Sequence, residues 1–172
     1  PSHIIVPVMH LTRQEIGRVF HEKLGAPYTD EIPELNLIAR RTLREVYLSA
    51  DMGITGCNFA VAETGSICLV TNEGNGRMVT ALPRVHVAVM GMERIVPTLD
   101  DLSVMLQLLA RSATGQKLTV YTSLVNGPRR PDEEHGPEEM HVVIVDNGRS
   151  RALASDLAEI LYCIRCGACL NV

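Results

Sequence analysis

The sequence predicts an α/β domain. Three observations carry this reading. Short β-branched runs alternate along the chain with segments of helical spacing. Thr12-Arg13-Gln14-Glu15 forms a capping-box pattern ahead of one such helical segment. Val85-His86-Val87-Ala88-Val89-Met90 is a compact apolar run of the kind buried in a sheet covered by helices.

Taken in order, Ile4-Ile5-Val6 reads as a short strand, placed at an edge because Pro7 interrupts it. The helix opened by Thr12 carries Ile16, Val19, Phe20 and Leu24 on one face and stops at Gly25. A second helix is expected from about Pro33 to Ala50, with Leu35, Ile38, Leu43, Val46 and Tyr47 near one face. Arg40, Arg41 and Arg44 then fall on its solvated side. From Ile54 the texture becomes strand-like. Cys57–Ala62 and Ser66–Thr71 are two extended segments around the turn Glu63-Thr64-Gly65, and Arg77–Thr80 is expected to pair back as a third. Thr98-Leu99-Asp100-Asp101 starts a helix through Leu102, Met105, Leu106 and Leu109 that fades near Gly115. Leu118–Thr122 and His141–Asp146 are further strands, separated by an exposed loop over Asn126–Pro137. A last helix is expected to carry Leu153, Leu157, Ile160 and Leu161 along one face and run into Cys163.

Composition narrows the function classes. The 172 residues are 46% hydrophobic and 21% charged, enough for one domain with a substantial core. Aromatics make up 3%, without Trp, and the net charge is -4. Neither a base-stacking surface nor a basic field for nucleic acid is expected. No apolar run approaches a membrane span, and nothing reads as a signal peptide. The five cysteines show no disulfide framework, so a reducing cytoplasm is the expected compartment. Pro1 leads directly into Ser2-His3-Ile4, as a piece cut from a longer protein would begin.

Two constellations could carry chemistry. The first is Cys163-Ile-Arg-Cys166-Gly-Ala-Cys169, a C-x2-C-x2-C run. Soft thiolates suit iron–sulfur clusters and zinc, and Gly167 permits a close turn. A structural zinc site wants four ligands, usually two pairs, and no second pair is present. A thioredoxin-like pair leaves the third evenly spaced Cys unexplained. The spacing matches the opening of a bacterial ferredoxin run, whose fourth Cys serves a second cluster. Three ligands to a four-iron cluster are therefore expected, with no intact cluster in these residues alone. Cys57 and Cys68 read as buried small hydrophobes.

The second constellation is the polar turn block, Ala62-Glu63-Thr64-Gly65-Ser66 and Asn72-Glu73-Gly74-Asn75-Gly76-Arg77. Glu63, Thr64, Gly65, Asn75, Gly76 and Arg77 are candidate ligand-binding residues. Glycines admit close approach, Thr and Asn offer hydrogen bonds, and Arg77 could grip a carboxylate or phosphate. The same residues also suit plain hairpin turns, and no Walker or Rossmann pattern is met. His86 reads as a core residue and His135 as a solvated one, while Asp146 sits at the carboxyl end of a strand, where α/β ligands gather.

Together, ITGCNFAVAETGSICLVTNEGNGRMVTALPRVHVAVMGMERIVPTLDDL and LYCIRCGACLNV resemble the iron–sulfur subunits of the lactate-utilization system, which carry a LUD domain followed by a ferredoxin-like segment. The resemblance implies a fold like the NagB/RpiA/CoA-transferase group, a sheet with helices on its faces. It implies residues 1–162 as the C-terminal part of the LUD domain and residues 163–172 as the start of the ferredoxin-like segment. It also implies two 4Fe-4S clusters in the full-length protein, with Cys163, Cys166 and Cys169 as metal ligands. The partners implied are the other subunits of a cytoplasmic oxidoreductase converting L-lactate to pyruvate, and the piece is expected to be inactive alone. A partial sheet with exposed surface is expected to favour self-association. Two other readings stand beside electron transfer. The LUD domain could be a small-anion-binding or transferase-like enzyme using the turn block, or an interaction module whose turns shape a docking face.

Overall fold

The computed structural model describes residues 8 and 10–170, and the strand expected at Ile4-Ile5-Val6 lies outside them. The chain divides into two compact units, Pro1–Ser49 and Ala50–Val172.

In the first unit, α1 spans Arg13–Leu24 and α2 spans Ile32–Ser49. The Thr12 hydroxyl accepts from the Glu15 N–H, and the Glu15 carboxylate accepts from the Thr12 N–H at 2.7 Å. This reciprocal cap satisfies two otherwise orphaned donors. Gly25 closes the helix at φ 67°, its N–H bonded to the His21 carbonyl. Arg40, Arg41 and Arg44 are exposed, as expected. Of the expected apolar face of α2, Leu35 is buried while Leu43 and Val46 are exposed.

The second unit runs β1 (Met52–Gly56), β2 (Phe59–Val61), β3 (Ser66–Thr71), α3 (Asn75–Ala81), β4 (Val85–Gly91), β5 (Ile95–Val96), α4 (Leu99–Thr114), β6 (Tyr121–Val125), β7 (Glu139–Val145) and α5 (Arg149–Leu153). It is α/β, with strands divided between two sheets. One is parallel, in the order β1-β4-β7, and the other is mixed, in the order β5-β2-β3-β6. In the parallel sheet Ile54 pairs Val87, which pairs His141.

The core explains why β3 is apolar without alternation. Cys68 packs with Phe59, Val61 and Val96 against Leu102 and Leu109 of α4. Its neighbours Ile67 and Leu69 point the other way and cluster with Ala88 of β4. A strand covered on both faces reads as a continuous apolar run. The capping arrangement recurs at α4, where Thr98 and Asp101 exchange bonds, and Gly115 at φ 72° ends the helix.

Three expectations are corrected. Arg77–Thr80 is helical, within α3, because backbone bonds from Met78 to Gly74 and from Leu82 to Met78 close helical turns. Strand β6 begins at Tyr121 rather than Leu118, since the Val120 N–H is taken by the Asn72 side chain at 3.2 Å. The last helix is broken into α5 and a single 3-10 stretch, Ala158–Tyr162. Between them the Ser155 hydroxyl donates to the Ala152 carbonyl and accepts from the Leu157 N–H, offering the backbone a turn instead of a helix. Leu153, Leu157 and Ile160 are consequently exposed.

Apolar surface of the sort expected to favour self-association is present: Val142, Val143 and Ile144 are exposed on β7, at one edge of the parallel sheet. Among the described residues no helix is long and apolar enough to cross a membrane.

Candidate functional site

The polar turn block does not form one pocket. Glu63 follows β2, and its carboxylate accepts the Leu99 N–H at 2.7 Å, neutralising the first turn of α4. Thr64 and Ser66 share a hydroxyl bond of 2.7 Å, and Gly65 adopts φ 70° at the tip of the β2–β3 hairpin. A left-handed φ there favours glycine. Asn75 folds its side chain onto the Gly76 N–H, and Arg77 stacks over the Tyr121 ring, 5.6 Å from its centre. Asn75 and Gly76 line a cleft of about 360 Å³ with Thr55, Asn58 and Thr71, whereas Glu63, Thr64, Gly65 and Arg77 do not.

The cysteine run lies at the same end of the unit as the end of β4. Cys163 and Cys169 are exposed, while Cys166 is half-buried and packs with Ile164 against the α4 core. Arg165 at φ 57° and Gly167 at φ 78° bend the run twice. Thiolate chemistry suits an iron–sulfur cluster. The described residues nevertheless hold no group of three His, Cys, Asp or Glu side chains placed to bind a metal ion. These residues by themselves show no cluster site, and no chemical step through one follows from them. Cys57 and Cys68 do not add ligands. Burial raises both thiols, that of Cys68 to about 11, and Cys57 donates to the Phe59 carbonyl at 2.9 Å.

A charge cluster that sequence reading missed adjoins the run. Glu93 follows β4, and its side chain is 6% exposed. Its Oε2 pairs with Arg149, and its Oε1 accepts from Arg165 Nη2 at 3.1 Å and lies 3.6 Å from Arg94 Nε. Burial pushes the Glu93 carboxyl up, but its own backbone N–H and the Arg149 and Arg94 guanidiniums outweigh this and hold it below the usual range. Gly91 makes the fold of Glu93 possible, because a Cβ there would overlap the carboxylate. The arginines come from three places: beside Glu93, after β7, and inside the cysteine run. The available signal was the rule that α/β ligands gather at the carboxyl ends of parallel strands. Applied to β7 it selected Asp146, whose carboxylate instead caps α5 through the Ser150 N–H and hydroxyl.

His86, on β4, has no solvent exposure. One ring nitrogen lies 2.8 Å from the Thr55 hydroxyl, and Nδ1 has no partner among the described residues. Burial holds its pKa below the usual value. The unfolded chain therefore takes up the proton first as pH falls. The stability this neutral side chain contributes is complete above about pH 6.5 and is lost below it, towards the folded value. The urea midpoint of the protein is expected to fall on that acid side, and His86→Gln should flatten the slope there. An unchanged slope in the variant would assign the acid sensitivity elsewhere.

A mixed α/β domain, with an arginine-ringed carboxylate beside a cysteine run, is the class of protein these features define. A family model described as the LUD domain matches residues 2–145. The chain belongs to the LUD-domain family. It is 58% identical over its whole length to "Lactate utilization protein B" of Bacillus pumilus (strain SAFR-032). It is 57% identical over 171 residues to "Uncharacterized electron transport protein YkgF" of Escherichia coli (strain K12). The chain spans 36% of the length of each. A crystal structure of a DUF162 family protein from Deinococcus radiodurans aligns over 58% of this chain and 56% of that one, at 25% identity and a TM-score of 0.43.

Proposed function

We propose that this chain is part of an iron–sulfur electron-transfer subunit of a lactate-utilization system. In this reading residues 1–162 belong to its LUD domain, and Cys163, Cys166 and Cys169 open a ferredoxin-like segment. The full-length protein carries two 4Fe-4S clusters, and these thiols are ligands to one of them. Other subunits of a cytoplasmic assembly join it in oxidising L-lactate to pyruvate. The observation that carries the reading is the likeness to "Lactate utilization protein B", which extends at 58% identity over all 172 residues, the cysteine run included. The name of the Escherichia coli relative, an electron transport protein, supports the same chemistry. One-electron couples tuned by burial and by hydrogen bonds to sulfur are what such clusters supply.

The test uses the full-length protein that carries this chain, purified anaerobically. It should contain iron and acid-labile sulfide and absorb in the visible range. Cys163→Ser should remove about half of the iron, because one cluster of two loses a ligand. A colourless protein without sulfide after anaerobic reconstitution would reject the proposal.

A further inference from the structure

A recess of about 120 Å³ is lined by Cys57, Asn58, Arg94, Leu109, Ile164 and Arg165. We infer that this recess binds a small oxyanion, held by the guanidiniums of Arg94 and Arg165 and the side-chain amide of Asn58.

Arg94 is the central residue of the recess. Its side chain is 8% exposed, yet among the described residues its guanidinium makes no hydrogen bond. Its one ionic contact is the 3.6 Å approach to Glu93, too long for a hydrogen bond. A guanidinium carries five donors, and those of Arg94 keep solvent contact where the residue lines the recess, open to a ligand. Glu93 does not hydrogen-bond it: its Oε1 accepts from Arg165 and stands 3.6 Å from Arg94 Nε, while its Oε2 pairs with Arg149. Three guanidiniums share Glu93, and Asp146 lies near Arg149, so one positive charge is left in excess.

The rest of the lining has the same polarity. Asn58 gives its Oδ1 to the Val70 N–H at 3.0 Å, which leaves its NH₂ end as a donor. The Cys57 thiol points its proton at the Phe59 carbonyl, and burial keeps it protonated, so it is not the balancing anion. Leu109 and Ile164 supply apolar walls. Among the described residues no carboxylate lines the recess. At about 120 Å³ the recess has room for a small oxyanion such as phosphate or a three-carbon carboxylate. Arg165 reaches this recess from between Cys163 and Cys166, so an anion bound here would tie the cysteine run to the core of the unit.

The experiment is thermal denaturation of the full-length protein at constant ionic strength, titrated with inorganic phosphate, with L-lactate, or with potassium chloride alone. A saturable rise in Tm with phosphate or with lactate, absent with chloride, is expected. Phosphate alone would assign a tetrahedral ion, and lactate alone a carboxylate. Arg94→Met should weaken the response about tenfold or more, the loss expected for charge-assisted bonds. Arg165→Met, at a residue whose side chain is 60% exposed, does the same without touching the buried core. Circular dichroism confirms that each variant is folded. No saturable rise with either anion, or an undiminished response in both variants, would overturn the inference. Iron content reports on the electron-transfer reading and not on this one, so the two fail separately.

Discussion

Glu93→Gln is expected to lower the stability of the Ala50–Val172 unit by about 3–5 kcal/mol, the usual result of removing one partner from a buried ion pair. The carboxylate is the common acceptor for Arg149 and Arg165 and, among the described residues, the salt-bridge partner of Arg94. Neutralising it strips Arg94, at 8% side-chain exposure, of its salt-bridge partner and leaves Arg149, at 20%, with only Asp146 nearby. Arg165 contributes less, since its exposed guanidinium can turn to water. Urea unfolding should show the loss as a lower midpoint at unchanged slope. Adding Arg149→Met to Glu93→Gln should recover part of it, because one of the stranded charges is then gone. A loss below about 1 kcal/mol for Glu93→Gln would mean that water, and not the carboxylate, balances the cluster.

Gly53→Ala should be comparably severe, at about 3 kcal/mol, through overpacking. Gly53 is a buried position of β1, and a Cβ there would overlap the backbone carbonyl oxygen of Val79 in α3. A backbone oxygen inside a helix cannot swing aside as a side-chain tip can, so β1 and α3 must separate. Gly56, on the same strand, has nothing within 4 Å of the corresponding point. Gly56→Ala is therefore the control and should stay within about 0.5 kcal/mol of the parent. Equal midpoints for the two variants would show that α3 shifts freely on the sheet.

Both effects depend on contacts that the sequence does not display. Glu93 and Arg149 are 56 positions apart, and Glu93 and Arg165 are 72 apart. Each alone reads as an ordinary surface charge, and only the meeting of the β4 end, the β7 end and the cysteine run turns them into a buried cluster. The turn block is the opposite case. AETGS and NEGNGR are conspicuous in sequence, and the first does form the β2–β3 hairpin. Glu63 nonetheless spends its carboxylate on the Leu99 N–H, and Arg77 lies on a helix over Tyr121, so the six candidate residues are scattered. Polar turn residues serve local geometry and ligands equally well, and spacing does not separate the two.

What the sequence by itself determined is whatever closes within a few residues or repeats with a fixed period. The Thr12–Glu15 cap, the stops at Gly25 and Gly115, the apolar runs of β3 and β4, and the C-x2-C-x2-C spacing all belong there, because neighbouring atoms decide each of them. Tertiary structure alone decided the division into two sheets, the helical state of Arg77–Thr80, the break after α5, and the pairing of one carboxylate with three arginines. In each of these cases two local conformations or charge states lie close in free energy. Packing and desolvation from distant parts of the chain then select between them.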